Sequence, residues 1–291
     1  MRSLFRTALS RLPAFTCAVF IGVLLTSSAV HANARQASDA DSAEARAMLK
    51  QGVEAYKHGE FDEAVADFKR AIELDPSLAA AQLYLGASYA GRYVPGDPSP
   101  DNLRYGEQAI GAFRKILEND PENLSAIDGI GSILYNMGGT PYDRKRLEES
   151  KAYHEMHIRI RPEDPEPYFW VGVIDWSVAY RANKDLRTEY NGKTESALKV
   201  SDPLPPELSE KFAQDYRATV DEGISALEKA TTLRLDYADA MAYLNLLYRQ
   251  RADMEESPAA RDEDLQAADD SLEKVKAIKQ GGRNGPPSPQ P

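Results

Sequence analysis

His154 and His157, in the stretch "HEMH", are three residues apart, an interval that puts both imidazoles on one helical face where they could share a metal ion. The zinc-protease motif needs histidines four apart with a glutamate between them. No further histidine or acid stands at ligand spacing nearby, so the pair reads as packing and no metal is expected. Asp175, in "VGVIDWSVAY", falls on the packing face of a predicted helix, where a carboxylate must be paired or shifted in pKa. The adjoining insertion is the expected source of its partner, and a catalytic acid is the alternative reading. The serine of "GASYAG" sits between glycines, yet in a predicted helix and not on the strand-turn-helix of a nucleophile elbow. These residues predict no enzyme and no cofactor. A hydrolase using Asp175 with His154 and His157 is the alternative.

The elements that carry these residues recur. "GEFDEAVADFKRAIELDP", residues 59 to 76, reads as a turn glycine, an amphipathic helix and a terminating proline. Its stripe of Phe61, Ala64, Val65, Phe68, Ala71, Ile72 and Leu74 is too broad for one helix to bury alone. The preceding "EARAMLKQGVEAYKHG" is a second amphipathic helix with Gly52 in its middle, so the two form a hairpin. Equivalent small-residue sites follow at Gly86, Gly131, Gly172 and Asn245, at intervals of 34, 45, 41 and 73. The second-helix ends, Pro76, Pro121, Pro162 and Leu235, repeat the 45, 41 and 73. From each end to the next small residue is always 10 residues, so the links between units are constant and the extra length falls inside the units.

A 34-residue helix-turn-helix with a small residue in its first helix, and alanine, aromatic and proline positions in its second, resembles the tetratricopeptide repeat (TPR) family. Gly52, Ala64, Phe68, Ala71 and Pro76 match best, followed by Gly86, Tyr89, Ala109, Phe113 and Pro121. Later units depart, with Ser150, His154 and His157 in the third, Gly223, Leu227 and Ala230 in the fourth, and Ala268, Leu272 and Val275 in the fifth. Through "VGVIDW" and "DAMAYLNLLYR" the chain is also similar to secreted bacterial TPR proteins with long insertions within repeats, a group that lends no activity.

The resemblance implies an all-α fold, a TPR-like α-solenoid of five helical hairpins with insertions between the two helices of repeats two to five. Repeats are expected at about 43–78, 79–123, 124–164, 165–237 and 238–278, with a long insertion at about 181–219. The stretch "YVPGDPSPDN" (93–102) reads as an irregular loop. Within the long insertion, Asp202 is the expected cap of a helix of about 28 residues, from near Pro206 to near Leu233.

Residues 1–32 carry Arg2, Arg6 and Arg11, an apolar run from Ala14 to Leu25, and Val30 and Ala32 at signal-peptidase spacing, which predicts an exported protein cleaved after Ala32. An uncleaved membrane tether is the alternative. Cys17 is the only cysteine and lies in that run, so the mature chain offers neither disulfide nor thiol nucleophile. Residues 33–42 read as a flexible lead and 279–291 as a disordered tail ending in "GPPSPQP". Net charge is −11, and −14 without the leader, which argues against a nucleic-acid partner.

In proteins of this kind the first helices line a concave wall. That implies a groove formed by Leu49, Val53 and Tyr56, Leu83 and Ala87, Asp128, Ser132 and Tyr135, Phe169, Val173 and Trp176, and Leu246 and Arg249. Leu49 and Val53 stand where a clamp for a partner's terminal carboxylate would need polar groups, so a peptide gripped through apolar side chains is expected. The expected function is a periplasmic or extracellular scaffold for a protein partner, without stable membrane insertion once the leader is removed. A self-associating structural envelope protein is the alternative.

Overall fold

The structure, a computed structural model, describes residues 38–284. The leader, its cleavage site, Cys17, the first residues of the expected lead and residues 285–291 of the tail lie outside the described residues. Ten α-helices pair in chain order: α1 (Asp39–Lys57) with α2 (Phe61–Leu74), α3 (Ala79–Arg92) with α4 (Pro100–Leu117), α5 (Leu124–Gly139) with α6 (Arg144–Ile160), α7 (Pro165–Asn191) with α8 (Pro206–Leu233), and α9 (Ala238–Ala252) with α10 (Pro258–Asn284). Every helix packs on the one before it, so five hairpins stack into a solenoid, as the resemblance implies. Among the described residues, no helix is long and apolar enough to cross a membrane.

Backbone chemistry at the helix ends explains the boundaries. Ser38 forms a capping box with Asp41, which starts α1 at Asp39, inside the segment expected to be a flexible lead. Ser99 caps α4 with Pro100 in its first turn, so the irregular loop ends there and does not run on to residue 102. Asp202 does not cap α8. Pro205 holds that position without a side-chain hydrogen bond, while Asp202 Oδ2 accepts from the backbone N–H of Lys199 in the preceding turn. The expected insertion is also more helical than predicted, because α7 runs on to Asn191 and leaves only residues 192–205 as connection. α10 likewise continues through Asn284, into the expected tail.

Packing within each hairpin turns on one close approach. A Cβ on Gly52 would lie 2.7 Å from Phe68 Cε1, and one on Gly86 would lie 2.7 Å from Phe113 Cε1. Gly131 meets His154 in the same way, and Gly172 meets Leu227. The ring or branched side chain of the second helix thus occupies the volume its partner's missing side chain leaves. The fifth hairpin breaks this register. Asn245 fills that volume itself and donates from Nδ2 to the carbonyl of Ala268 at 2.6 Å. Leu272, in sequence register with Phe68, is accordingly turned out and 38% exposed.

First helices touch across neighbouring hairpins, α1 with α3, α3 with α5 and α7 with α9, which turns them to the inner side of the curvature. α5 and α7 make no comparable contact. One apolar core accordingly spans the first three hairpins and another the last two, bridged by a small cluster of Leu147, Ile174 and Val178. Both end helices carry exposed charged residues, Lys50 and Glu54 on α1 and Asp262 and Glu273 on α10, beside the exposed Leu272 of α10.

Candidate protein-binding groove

The two histidines are consumed by the joint between the third and fourth hairpins. His154 is buried against Gly131, with its ring stacked on Trp170 at 5.8 Å. Neither ring nitrogen has a partner, and burial lowers its pKa to about 4, so the imidazole is neutral. His157 Nδ1 lies 2.7 Å from Asp128 Oδ1, and burial raises the Asp128 carboxyl above the usual range despite that hydrogen bond. Trp170, absent from the expected groove set, packs on the third hairpin, edge-on to Tyr135 at 5.2 Å. Among the described residues, no group of three or more histidine, cysteine, aspartate or glutamate side chains converges as metal ligands.

Asp175 is buried and paired, but not by the insertion. Lys151 Nζ of α6 donates to its two carboxylate oxygens at 2.8 and 3.1 Å, and also reaches Glu222 of α8 at 2.8 Å. Burial outweighs the ammonium beside it and raises the Asp175 pKa to about 7. The Lys151 ammonium is held above its ordinary pKa because the two carboxylates overcome its own burial. Asp175 and the histidines occupy separate contacts in one interhelical joint and form no shared site with an open face.

The expected groove residues divide. Val173 is a correction: it is 1% exposed and belongs to the interior, in the buried run Val171 to Asp175 of a helix packed against α6, α8 and α9 at once. Leu49, Val53, Tyr56 and Leu83 are half-buried and pack onto the N-terminal core, with Tyr56 edge-on to both Phe61 and Tyr84. Tyr56, Ala87 and Ser132 do line a shallow cleft of about 270 Å³ on the first-helix wall. Phe169 is covered by Tyr237 and Tyr243, at 5.1 and 5.7 Å.

Trp176, Leu246 and Arg249 come together at the C-terminal end of this wall. They line a cleft of about 470 Å³ with Tyr180, Val200 and Leu265. Trp176 stacks on Tyr180 at 5.2 Å, and Arg249 is held by Asp269 at 2.6 Å. Val200, at the tip of the insertion, is 86% exposed and forms the opposite rim, so the insertion walls the cleft without covering it. The sequence signal for Tyr180 was its place one helical turn beyond Trp176. Nothing in sequence marked Val200, because its position depends on how residues 192–205 are anchored.

That anchor is Arg187 on the extension of α7. Its Nη1 donates to the carbonyls of Lys199 and Asp202, its Nε to Asn183 Oδ1, and its Nη2 to Asp253 Oδ2 at 2.6 Å. Asp253, at the turn between α9 and α10, also accepts from Asn183 Nδ2 and Arg261 Nη1. One carboxylate thereby locks the insertion of the fourth hairpin to the fifth.

Residues 52–91 match the family described as TPR repeat. No curated protein matches the sequence significantly. Among solved structures, a crystal structure of MamA protein is similar with a TM-score of 0.53 at 16% identity, covering 84% of this chain and 98% of that one. MamA residues 41 to the end from Desulfovibrio magneticus RS-1 give 0.52 at 16%, covering 82% and 96%. YrrB, described as a TPR protein with an unusual peptide-binding site, gives 0.49 at 16%, covering 84% and 94%. Residues 52–91 thus match a TPR repeat, and the stack of five helical hairpins around them has the TPR-like solenoid fold.

Proposed function

We propose that the chain is a non-enzymatic scaffold that holds a protein or peptide partner against its first-helix wall, in the cell envelope or outside the cell. The observation that carries this reading is the cleft of Trp176, Tyr180, Val200 and Leu246, an open aromatic and aliphatic surface on that wall. Aromatic anchors in partly desolvated pockets are what dominate protein interfaces. Export rests on the leader, and an acidic mature surface suits a protein partner better than a polyanion.

A photo-cross-linking residue placed at Leu246 in the native host is expected to trap a discrete partner, and one at Lys276 on the outer face of α10 is not. Trp176→Ala should abolish the Leu246 adduct. Equal adducts from both positions, or an adduct indifferent to Trp176→Ala, would overturn groove binding. N-terminal sequencing of the envelope fraction is expected to begin at Asn33. Recovery of the protein only in the cytoplasm would remove the export part of the reading.

A further inference from the structure

The cleft beside Trp176 is one of two that meet at the insertion. A second, of about 190 Å³, lies across Val200 from the first, and the two share Tyr180, Val200, Gln250 and Asp253 in their walls. An exposed aliphatic ridge next to a stacked Trp–Tyr pair, with a hollow on either side, suits an extended ligand that sets one bulky apolar residue in each hollow. Two side chains lining these hollows, Trp176 and Gln250, each contain a buried polar atom without a partner, Nε1 and Oε1 respectively.

The chain itself contains a segment of the required chemistry. Residues 285–291 read Gly-Pro-Pro-Ser-Pro-Gln-Pro and carry no charged side chain. Pro286 and Pro289 are one turn apart in a polyproline II helix, about 9 Å, and Pro-x-x-Pro segments dock on aromatic-lined grooves in that conformation. Proline rings lie well on indole and phenol faces, while Ser288 and Gln290 retain backbone N–H groups.

Reach decides which copy of the segment can bind. Leu265 is the cleft-lining residue farthest along α10, and Asn284 ends that helix. The nineteen residues between them rise about 28 Å at 1.5 Å each. The seven residues 285–291 span at most about 25 Å fully extended. The prolines therefore cannot fold back into their own cleft, but those of a second copy can enter it.

We propose that the paired clefts around Val200 bind the proline-rich segment 285–291 of a second copy of this chain. This rests on the groove reading above and names its occupant. The assembly is head-to-tail, since the segment of one copy enters the cleft of the next and leaves its own cleft free for a further copy.

The test uses the mature protein shortened after Asn284, titrated with a labelled peptide of residues 283–291 by fluorescence anisotropy. Saturable binding is expected, weakened about ten-fold or more by Pro286→Ala with Pro289→Ala in the peptide, or by Tyr180→Ala or Val200→Asp in the protein. Val200 is solvent-exposed, so the unfolding temperature of Val200→Asp should match the parent and separates lost binding from lost fold. The full chain should associate with rising concentration in sedimentation, and the shortened one should stay monomeric. Absence of peptide binding, indifference to the proline substitutions, or a full chain that remains monomeric overturns the proposal. If the Leu246 cross-link nevertheless persists in the shortened protein, only the occupant is wrong. If it is lost with no peptide binding, the groove reading falls too.

Discussion

Arg187 Nη2 lies 2.6 Å from Asp253 Oδ2, and through that contact the connection between α7 and α8 is fixed to the turn between α9 and α10. Both side chains are largely buried, so the pair works in a medium where an unpartnered charge is costly.

Arg187→Ala should therefore cost about 2–4 kcal/mol in urea unfolding, at the lower end if Arg261 takes over the Asp253 carboxylate. The more specific outcome is local. Cleavage by a protease between residues 192 and 205 should accelerate well before global unfolding, since two backbone carbonyls lose their donor.

Gly52→Ala should destabilise by about 1–3 kcal/mol, because the new Cβ meets the Phe68 ring at 2.7 Å. Gly111→Ala is the control. Its Cβ would meet nothing within 4 Å on the helix α4, so helix propensity alone predicts a gain of about 0.5–1 kcal/mol. Chemical denaturation of the two variants under one condition compares them directly.

His154 is neutral when folded, with its pKa lowered from 6.5 to about 4 by burial. Its unfolded form binds a proton first as pH falls, so the stability it supports is full above pH 6.5 and is lost as pH falls toward 4. That loss is on the order of 3 kcal/mol. His154→Phe, which installs the aromatic found at Phe68 and Phe113, should remove that part of the acid sensitivity, read as unfolding free energy from pH 7 to pH 4.

Asp175 behaves in the opposite sense. Its folded pKa of about 7 stands above the ordinary 3.8, so the protonated form favours folding and its stabilisation fades as pH rises through about 7. Lys151→Met removes the ammonium that offsets the buried carboxylate. Its cost should grow as pH rises above about 7, where the parent carboxylate ionises, by up to about 1.4 kcal/mol per pH unit. A gap between parent and variant that narrows as pH rises would contradict the assigned role of Lys151.

Hairpin pairing was legible from spacing because Gly52 and Phe68, or Gly86 and Phe113, satisfy each other inside one unit and recur at a constant offset. The partner of Asp175 was not legible. Lys151 lies on the preceding hairpin, and which residue of one hairpin faces another depends on the angle between them. Packing of α7 against three helices at once buried Val173, which sequence had assigned to the open wall, and set Trp170 against Tyr135 and His154 of the preceding hairpin. In the fifth unit, Asn245 in place of glycine was visible, but not that it would bond Ala268 and turn Leu272 out.

By itself the order of residues determined five helix pairs and their sequence of stacking, since amphipathic period and prolines act over a few residues of chain. Tertiary structure alone decided where the wall stays open. Trp176, Val200 and Leu246 stand on α7, the insertion and α9: the packing of α7 on α9 brings the first and last together, and the Arg187–Asp253 lock adds Val200. A side chain's exposure is set by neighbours distant in sequence, and here Val200 is placed by a buried ion pair that no local pattern encodes.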